Sequence, residues 1–300
     1  MMKILCVGQS AFDITLPVKE YPIENRKYKI NEKMECGGGS SNNAAYLLAL
    51  WHNDVYLASS IGNDVYGEKI KEELLSAGVN IDYFEELENV PTTTSYIINN
   101  LATGTRTIIT NKDSRMEFKK LGSMPLPFDI IFFDGNDFEM SMRIINDNPQ
   151  AIKIIDAGSV KKGMIELCKC CDYVVCSNDF ARDYTGIEFK CNEIDKVKEA
   201  YNMLKDVFEG CLVITLEEYG SITKIDNDFV LVPSIKVDAL DSTGAGDIYH
   251  GAFTHFIAHH YSLLDTIKYS NIAGALSVTK IGSKNSMPTY EEVMTYNGLH

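Results

Sequence analysis

The chain has 300 residues, 45% of them hydrophobic and 23% charged, which suits one large α/β unit or two domains of about 150 residues each. Lysine and arginine number 28 against 42 aspartates and glutamates; the formal charge of −14 opposes nucleic-acid phosphates and anionic lipid unless a local basic patch exists. The longest basic runs, Lys119-Lys120 and Lys161-Lys162, are too short for one, and no apolar stretch approaches the roughly 20 residues of a membrane span.

From the N-terminus, residues 3–8 read as a strand. The apolar run is too short for a signal peptide and no cleavage site follows, so a cytoplasmic protein is expected. Residues 12–36 carry strand-like segments near 13–16 and 27–35, around Pro17, Pro22 and Asn25. A glycine run opens a helix over 41–52, and a strand follows at 54–60. Asp64 reads as an N-cap and Gly78 as a C-terminal stop, enclosing a helix with Ile70, Leu74 and Leu75 on one face. In 92–111, two β-branched runs flank Ala102-Thr103-Gly104, which predicts a hairpin. Strand candidates then recur at 129–134, 152–156, 172–176 and 211–216, each followed by polar or helical sequence. Ser234–Val237 is strand-like again, and Ile248–His260 is helical.

Strands alternating with helices predict an α/β core: a mainly parallel sheet with helices on both faces. Residues 12–36 and 91–111 break that rhythm. As insertions they predict a small β lid, a device that excludes water and completes a site when substrate binds. Its edge strands could pair between subunits, which makes a homodimer through the lid the expectation.

The eight cysteines would be a disulfide set only in an oxidising compartment, which nothing in the sequence indicates. Cys6, Cys176 and Cys211 sit in apolar strands, where cysteine acts as a small hydrophobe. Cys168-Lys169-Cys170-Cys171 contains a C-x-x-C, but Cys176 and Cys191 do not supply the second pair that a zinc site needs. His255 and His259 stand four apart without the glutamate of a zinc protease motif, and read as a helix face.

Two glycine-rich motifs carry the chemistry. Asp241-Ser242-Thr243-Gly244-Ala245-Gly246-Asp247 precedes a helix. A turn of small residues there leaves backbone N–H groups aimed outward, and with the helix dipole they form an anion site. A carboxylate at Asp247 gains nothing from mere phosphate binding. It suits a base that takes a proton from an attacking hydroxyl while the amides stabilise a transferring phosphoryl group. The other motif, Gly37-Gly38-Gly39-Ser40-Ser41-Asn42-Asn43-Ala44-Ala45, is neither a dinucleotide fingerprint, since Asn42 stands where the third glycine would be, nor a Walker loop. Its glycines permit close backbone approach, and Asn42 can donate to and accept from hydroxyls.

In this order, and with a β lid, these motifs resemble the ribokinase-like (PfkB) family of carbohydrate kinases. Ile61-Gly62-Asn63-Asp64-Val65-Tyr66-Gly67, Ala77-Gly78-Val79 and Ala273–Lys280 with Gly282 are similar to the family too. The resemblance implies a ribokinase-like three-layer core and ATP-dependent phosphorylation of a sugar hydroxyl. By position it makes Asp247 the catalytic base and Gly244, Ala245 and Gly246 the anion hole. It assigns Asp13, Gly38, Gly39, Asn42 and Asp134 to the sugar, with Arg106 of the lid hairpin a contact to substrate or phosphate. Asn178, Thr215, Gly220, Ser221 and Asn271 fall to the nucleotide, and Asp241, Thr243 and Ser286 to a monovalent cation such as K+.

Two residues depart from the family pattern. Ala181 stands where a glutamate often supports Mg2+, leaving Asp179 or an acidic side chain elsewhere to substitute, and Glu217 replaces the usual glycine after Thr215-Leu216. A nucleoside kinase of the same superfamily and a non-catalytic sugar- or nucleotide-binding regulator on the same fold are the alternatives. A dehydrogenase is disfavoured by the missing dinucleotide fingerprint.

Overall fold

Five residues, Lys3–Val7 (β1), are apolar after the first lysine, and they lie at the centre of a large sheet because side chains on both of its faces can be buried. The computed structural model describes residues 2–118 and 127–296, so Lys119-Lys120 lies outside the described residues. Next come β2 (Ala11–Val18), β3 (Met34–Gly38), α1 (Ser40–Leu50), β4 (Asp54–Gly62), α2 (Val65–Ala77), β5 (Phe84–Leu87), β6 (Thr94–Asn100) and β7 (Thr105–Asn111). The middle of the chain supplies β8 (Ile130–Phe133), α3 (Phe138–Asp147), β9 (Ile152–Ala157), α4 (Met164–Lys169), β10 (Tyr173–Ser177), α5 (Asn178–Thr185) and α6 (Ile194–Lys205). The last third gives β11 (Cys211–Thr215), β12 (Ser221–Ile225), β13 (Asp228–Val232), α7 (Ala245–Ala258), α8 (Leu263–Ser277) and α9 (Tyr290–Thr295).

Nine strands form the large sheet in the order β13-β12-β11-β10-β9-β8-β1-β4-β5. Every pair from β11 to β5 is parallel; the β11–β12 and β12–β13 pairs are antiparallel. Alternation along β1 and β8 divides the core. Leu5, Val7, Ile131 and Phe133 join one apolar cluster; Ile4, Cys6, Ile130 and Phe132 join the other. This is the ribokinase-like three-layer arrangement. The order reverses around β1, and the crevice at the carboxyl ends of parallel strands beside such a reversal is where ligands bind.

A second sheet, β3-β2-β6-β7, stands apart from the first. Its β6–β7 pair is the hairpin expected around Gly104. The expected segment 27–35 is corrected: pairing with β2 begins only at Met34, because Thr15 is the last β2 residue with a β3 partner. Ser234–Val237 forms no strand either, since β13 already holds the edge of the large sheet and ends at Val232.

Helix α2 is bounded as its sequence predicts. Asp64 accepts from Tyr66 N (3.1 Å) and Gly67 N (2.9 Å), and Gly78 closes the helix at φ 92°. Asp64 also accepts from Thr92 N (2.8 Å) and Thr92 Oγ1 (2.7 Å), tying the helix to the residues that lead into β6. Ile70 and Leu74 are buried, but Leu75 is 56% exposed: it lies off the buried stripe. Cys6, Cys168, Cys171 and Cys176 are core residues, and burial pushes the Cys168 thiol up to about 12. His255 bonds through Nδ1 to the buried Asn53 side chain at 2.9 Å, a packing role on a helix face.

Candidate active site

Gly244 caps α7 with a left-handed backbone, φ 78°, and a Cβ there would stand 2.9 Å from Ser283 Cβ. Gly246 opens onto free space, so the first N–H groups of α7 can be approached. Asp247 follows in the first turn. Its Oδ1 accepts from Ser40 Oγ at 2.8 Å and its Oδ2 from Asn43 Nδ2 at 2.7 Å. Ser40 and Asn43 open α1, so the two glycine motifs meet at this carboxylate. Neither was singled out in the sequence, although both lie inside the first motif.

Asp13 lies on β2, 7% exposed, opposite Cys36 of β3 and Ser95 of β6. Burial, and secondarily the charge of Asp247, pushes its carboxyl up to about 6, while a Ser95 hydrogen bond and Lys284 pull the other way. A Cβ on Gly38 would fall 2.0 Å from Asp13 Oδ2, and one on Gly39 (φ 97°) 2.3 Å from Gln9 O. Only glycine lets these strands close on the carboxylate.

Asn42 is fully buried; Nδ2 donates to Ser10 Oγ (3.3 Å) and Oδ1 accepts from Lys284 Nζ (2.7 Å). Lys284 went unnoticed in the sequence. Its ammonium also lies 3.6 Å from Glu73 Oε1 and 4.1 Å from the Tyr46 ring centroid. Burial lowers its pKa, against the attraction of Glu73. Beside this group, Phe12, Glu35, Cys36, Lys69, Glu72 and Glu73 line an open cavity of about 410 Å³.

Asp134 follows β8 and turns inward. It accepts from Gln9 N (2.8 Å), Ser41 N (3.4 Å) and Asn136 N (3.0 Å), so its oxygens brace backbone at the strand ends. Asp241 accepts from Thr243 N and Gly282 N, both at 2.9 Å. Thr243 Oγ1 nearby is buried without a partner among the described residues, while Ser286 Oγ donates to Ser283 O at 3.1 Å. An unmet buried hydroxyl beside a buried carboxylate suits a monovalent cation.

The residues expected at the nucleotide separate. Asn178 lines a second cleft of about 470 Å³ with Arg182, Phe189, Lys190, Cys191 and the Glu217–Tyr219 turn. Thr215 ends the adjacent strand and donates to Cys176 O at 3.4 Å. Gly220 (φ 99°) leaves no room for a Cβ against Val232 O, at 2.1 Å. Ser221 and Asn271 bond each other at 2.8 Å inside the wall, and Asn271 also donates to Val232 O at 2.9 Å.

The two departures from the family pattern lie on this side. Ala181 is buried, Asp179 pairs with Arg182, and Glu217 Oε1 accepts from Asn178 Nδ2 at 3.2 Å. Glu217 has φ 52°, the left-handed region that favours glycine. Among the described residues no group of three or more His, Cys, Asp or Glu is placed to hold a metal.

The second sheet, expected to act as a lid, touches the core through its hairpin. Arg106 Nη1 donates to Ser242 Oγ, and the same hydroxyl lies 3.5 Å from Gly104 O. The hairpin tip thus touches the segment leading into the Gly244–Gly246 turn.

Residues 1–290 match the pfkB family of carbohydrate kinases. The chain is 25% identical over 305 residues to the ribokinase of Lactococcus lactis, covering 98% of this chain and 96% of that one. It is 23% identical over 319 residues to the deoxyribokinase of Salmonella typhi, across 100% of both. The structure of Arabidopsis thaliana ribokinase complexed with ribose and ATP superposes with a TM-score of 0.81 at 19% identity, covering 98% of this chain and 97% of that one.

Proposed function

The chain belongs to the pfkB family of carbohydrate kinases, and from that premise we propose that it transfers the terminal phosphoryl group of ATP to a sugar hydroxyl, with Asp247 as the base. The observation that carries the proposal is the pose of Asp247. Two neutral donors, Ser40 and Asn43, fix both of its oxygens in the first turn of α7. They orient the carboxylate without cancelling its charge, so it can take the proton of an attacking hydroxyl. The first amides of α7, from the Gly244-Ala245-Gly246 turn, receive the charge of the transferring group.

Asp13, Gly38, Gly39 and Asn42 hold the sugar. An ionised Asp13 accepts from two neighbouring hydroxyls, and the glycines let the sugar approach the backbone. Asp134 and Lys284 set the shape and charge of that pocket. Arg106 reaches over from the lid. The nucleotide lies toward the Asn178 cleft, with Thr215, Gly220, Ser221 and Asn271 forming its wall.

Asp241, Thr243 and Ser286 would hold a monovalent cation, whose positive charge would sit beside the anion turn. Among the described residues no cage for Mg2+ forms; that ion would arrive on the nucleotide phosphates. A homodimer would form through the lid, where β7 is an edge strand with Ile108 and Ile109 exposed.

Ribose, 2-deoxyribose, other sugars and nucleosides are the acceptors to screen for ADP release, each compared with Asp247→Asn. Turnover on a sugar that collapses in the variant, with sugar and nucleotide binding intact, supports the proposal. Normal turnover in the variant removes Asp247 as the base. Turnover on nucleosides alone moves the enzyme to the nucleoside kinases, and binding with no turnover on any acceptor leaves a regulator.

A further inference from the structure

Asn99 is completely buried, yet neither its Oδ1 nor its Nδ2 has a hydrogen-bond partner among the described residues. A side-chain amide in that state is costly, and most buried polar groups avoid it. The strand register shows where it points. Ser95 is the register partner of buried Asp13, so the two share a face of the sheet; side chains alternate along β6, so Ile97 and Asn99, both buried, lie on that face too. Tyr96, on the opposite face, is 43% exposed.

Four residues at about 3.3 Å each carry Asn99 about 13 Å beyond Ser95, toward the hairpin tip. There it is paired across the hairpin with Arg106, whose guanidinium bonds Ser242, two residues before the Gly244–Gly246 turn. The end of the lid that holds Asn99 therefore lies beside the segment leading into the anion turn, while the Ser95 end lies beside Asp13. A phosphoryl oxygen can accept from Nδ2. Oδ1 can accept from one of the five guanidinium donors of Arg106, on the neighbouring strand. Both halves of the amide are then used, and the guanidinium is steadied toward the same anion.

We propose that Asn99 and Arg106 form a phosphate subsite on the inner face of the lid. It takes the terminal phosphoryl group of a nucleoside triphosphate, opposite the N-terminus of α7. The proposal rests on the kinase reading above and adds to it a ligand, Asn99, that no sequence motif marks.

Calorimetric binding of a non-hydrolysable ATP analogue and of ADP to the full-length chain tests it. Asn99→Leu keeps the number of side-chain heavy atoms and the branch at Cγ and removes both polar groups. It is expected to weaken the triphosphate analogue about tenfold and to leave ADP unchanged. Asn99→Asp turns a negative charge toward the phosphate and should weaken the analogue further; it carries the test should the leucine variant fail to fold. In turnover, kcat should fall with the KM of the acceptor unchanged.

Equal effects on analogue and ADP would overturn the subsite. So would unchanged analogue binding with a raised Tm, the mark of an amide that was merely buried. A loss of turnover that vanishes with one deoxy acceptor would make Asn99 an acceptor ligand instead. Wild-type ADP release is the separate control. If no acceptor supports it the kinase reading fails, while the analogue-to-ADP ratio still reports on Asn99.

Discussion

The two ends of the crevice are built differently. At the end proposed for the acceptor, side chains are held by their neighbours: Ser40 and Asn43 fix Asp247, and Lys284 holds Asn42. At the end proposed for the nucleotide, Asn178 lines an open cleft whose rim, Glu217 to Tyr219, is exposed. Proton transfer depends on the direction and distance of one carboxylate, and a small displacement there costs rate steeply. A nucleotide spreads its contacts over a larger area, so single contacts can change. Ala181 and Glu217, the two departures from the family pattern, both lie at the tolerant end.

The largest effect that would break this contrast is at Asp247. Asp247→Asn keeps the size of the side chain, and kcat should fall about 10³-fold, within the range for a lost general base. Sugar and nucleotide affinities, measured by calorimetry, should stay near wild type. Should acceptor affinity collapse instead, the rigid end is organised for binding and not for proton transfer.

Next in size is a pH effect. Asp13 has its carboxyl raised from the ordinary 3.8 to about 6 by burial, then by Asp247. Between those values the folded chain binds more protons at this site than the unfolded one, so its contribution to stability falls as pH rises through that window. The ionised form, which the proposed function needs to accept sugar hydroxyls, grows in at the same time. The kcat/KM of the acceptor should therefore rise with pH and level off above about 6. Lys284→Met removes a cation that holds this carboxyl down, so the rise should move to higher pH. A profile that does not move would detach Lys284 from Asp13.

A smaller effect is expected at the root of the lid. Burial opposes ionisation of Asp64, but bonds from Thr92, Gly67 and Tyr66 outweigh it and hold the carboxyl below its usual range. Asp64→Ala should cost about 1 kcal/mol in denaturant unfolding, the usual value of a lost N-cap. The smallest effect belongs to the tolerant end: Glu217→Gly relieves a left-handed backbone and loses one contact to Asn178. The two changes offset, and stability should move by less than about 1 kcal/mol. A large loss there would show that the open end is as constrained as the closed one.

Local signals survived the passage from sequence to fold. The Asp64 cap, the Gly78 stop and the Gly244-Ala245-Gly246 turn are each decided by neighbouring residues, so their sequence suffices. Segments 27–35 and Ser234–Val237 carry strand-like residues, but a strand also needs a partner in register. That partner lies far away in the chain, or is absent. The same limit hid much of the site. Ser40 and Asn43 meet Asp247 across two hundred residues of chain, and Lys284 reaches Asn42 from beyond α8. A lysine in a polar C-terminal loop resembles any surface lysine until packing buries it. Asn99 was hidden for a related reason: in a hairpin of polar and β-branched residues, only the strand register separates an inward asparagine from an outward one.

The contact between Gly38 and Asp13 also bears on how this crevice can change over generations. The Cβ that any other residue would bring to position 38 lies 2.0 Å from the Asp13 carboxylate. A mutation at either position is thus judged by the occupant of the other. Asp13 can become smaller without disturbing Gly38, but Gly38 can gain a side chain only after Asp13 has been lost. New acceptor preferences are therefore open to drift in the lid and in the Glu72–Glu73 rim, while position 38 can follow only a change at position 13.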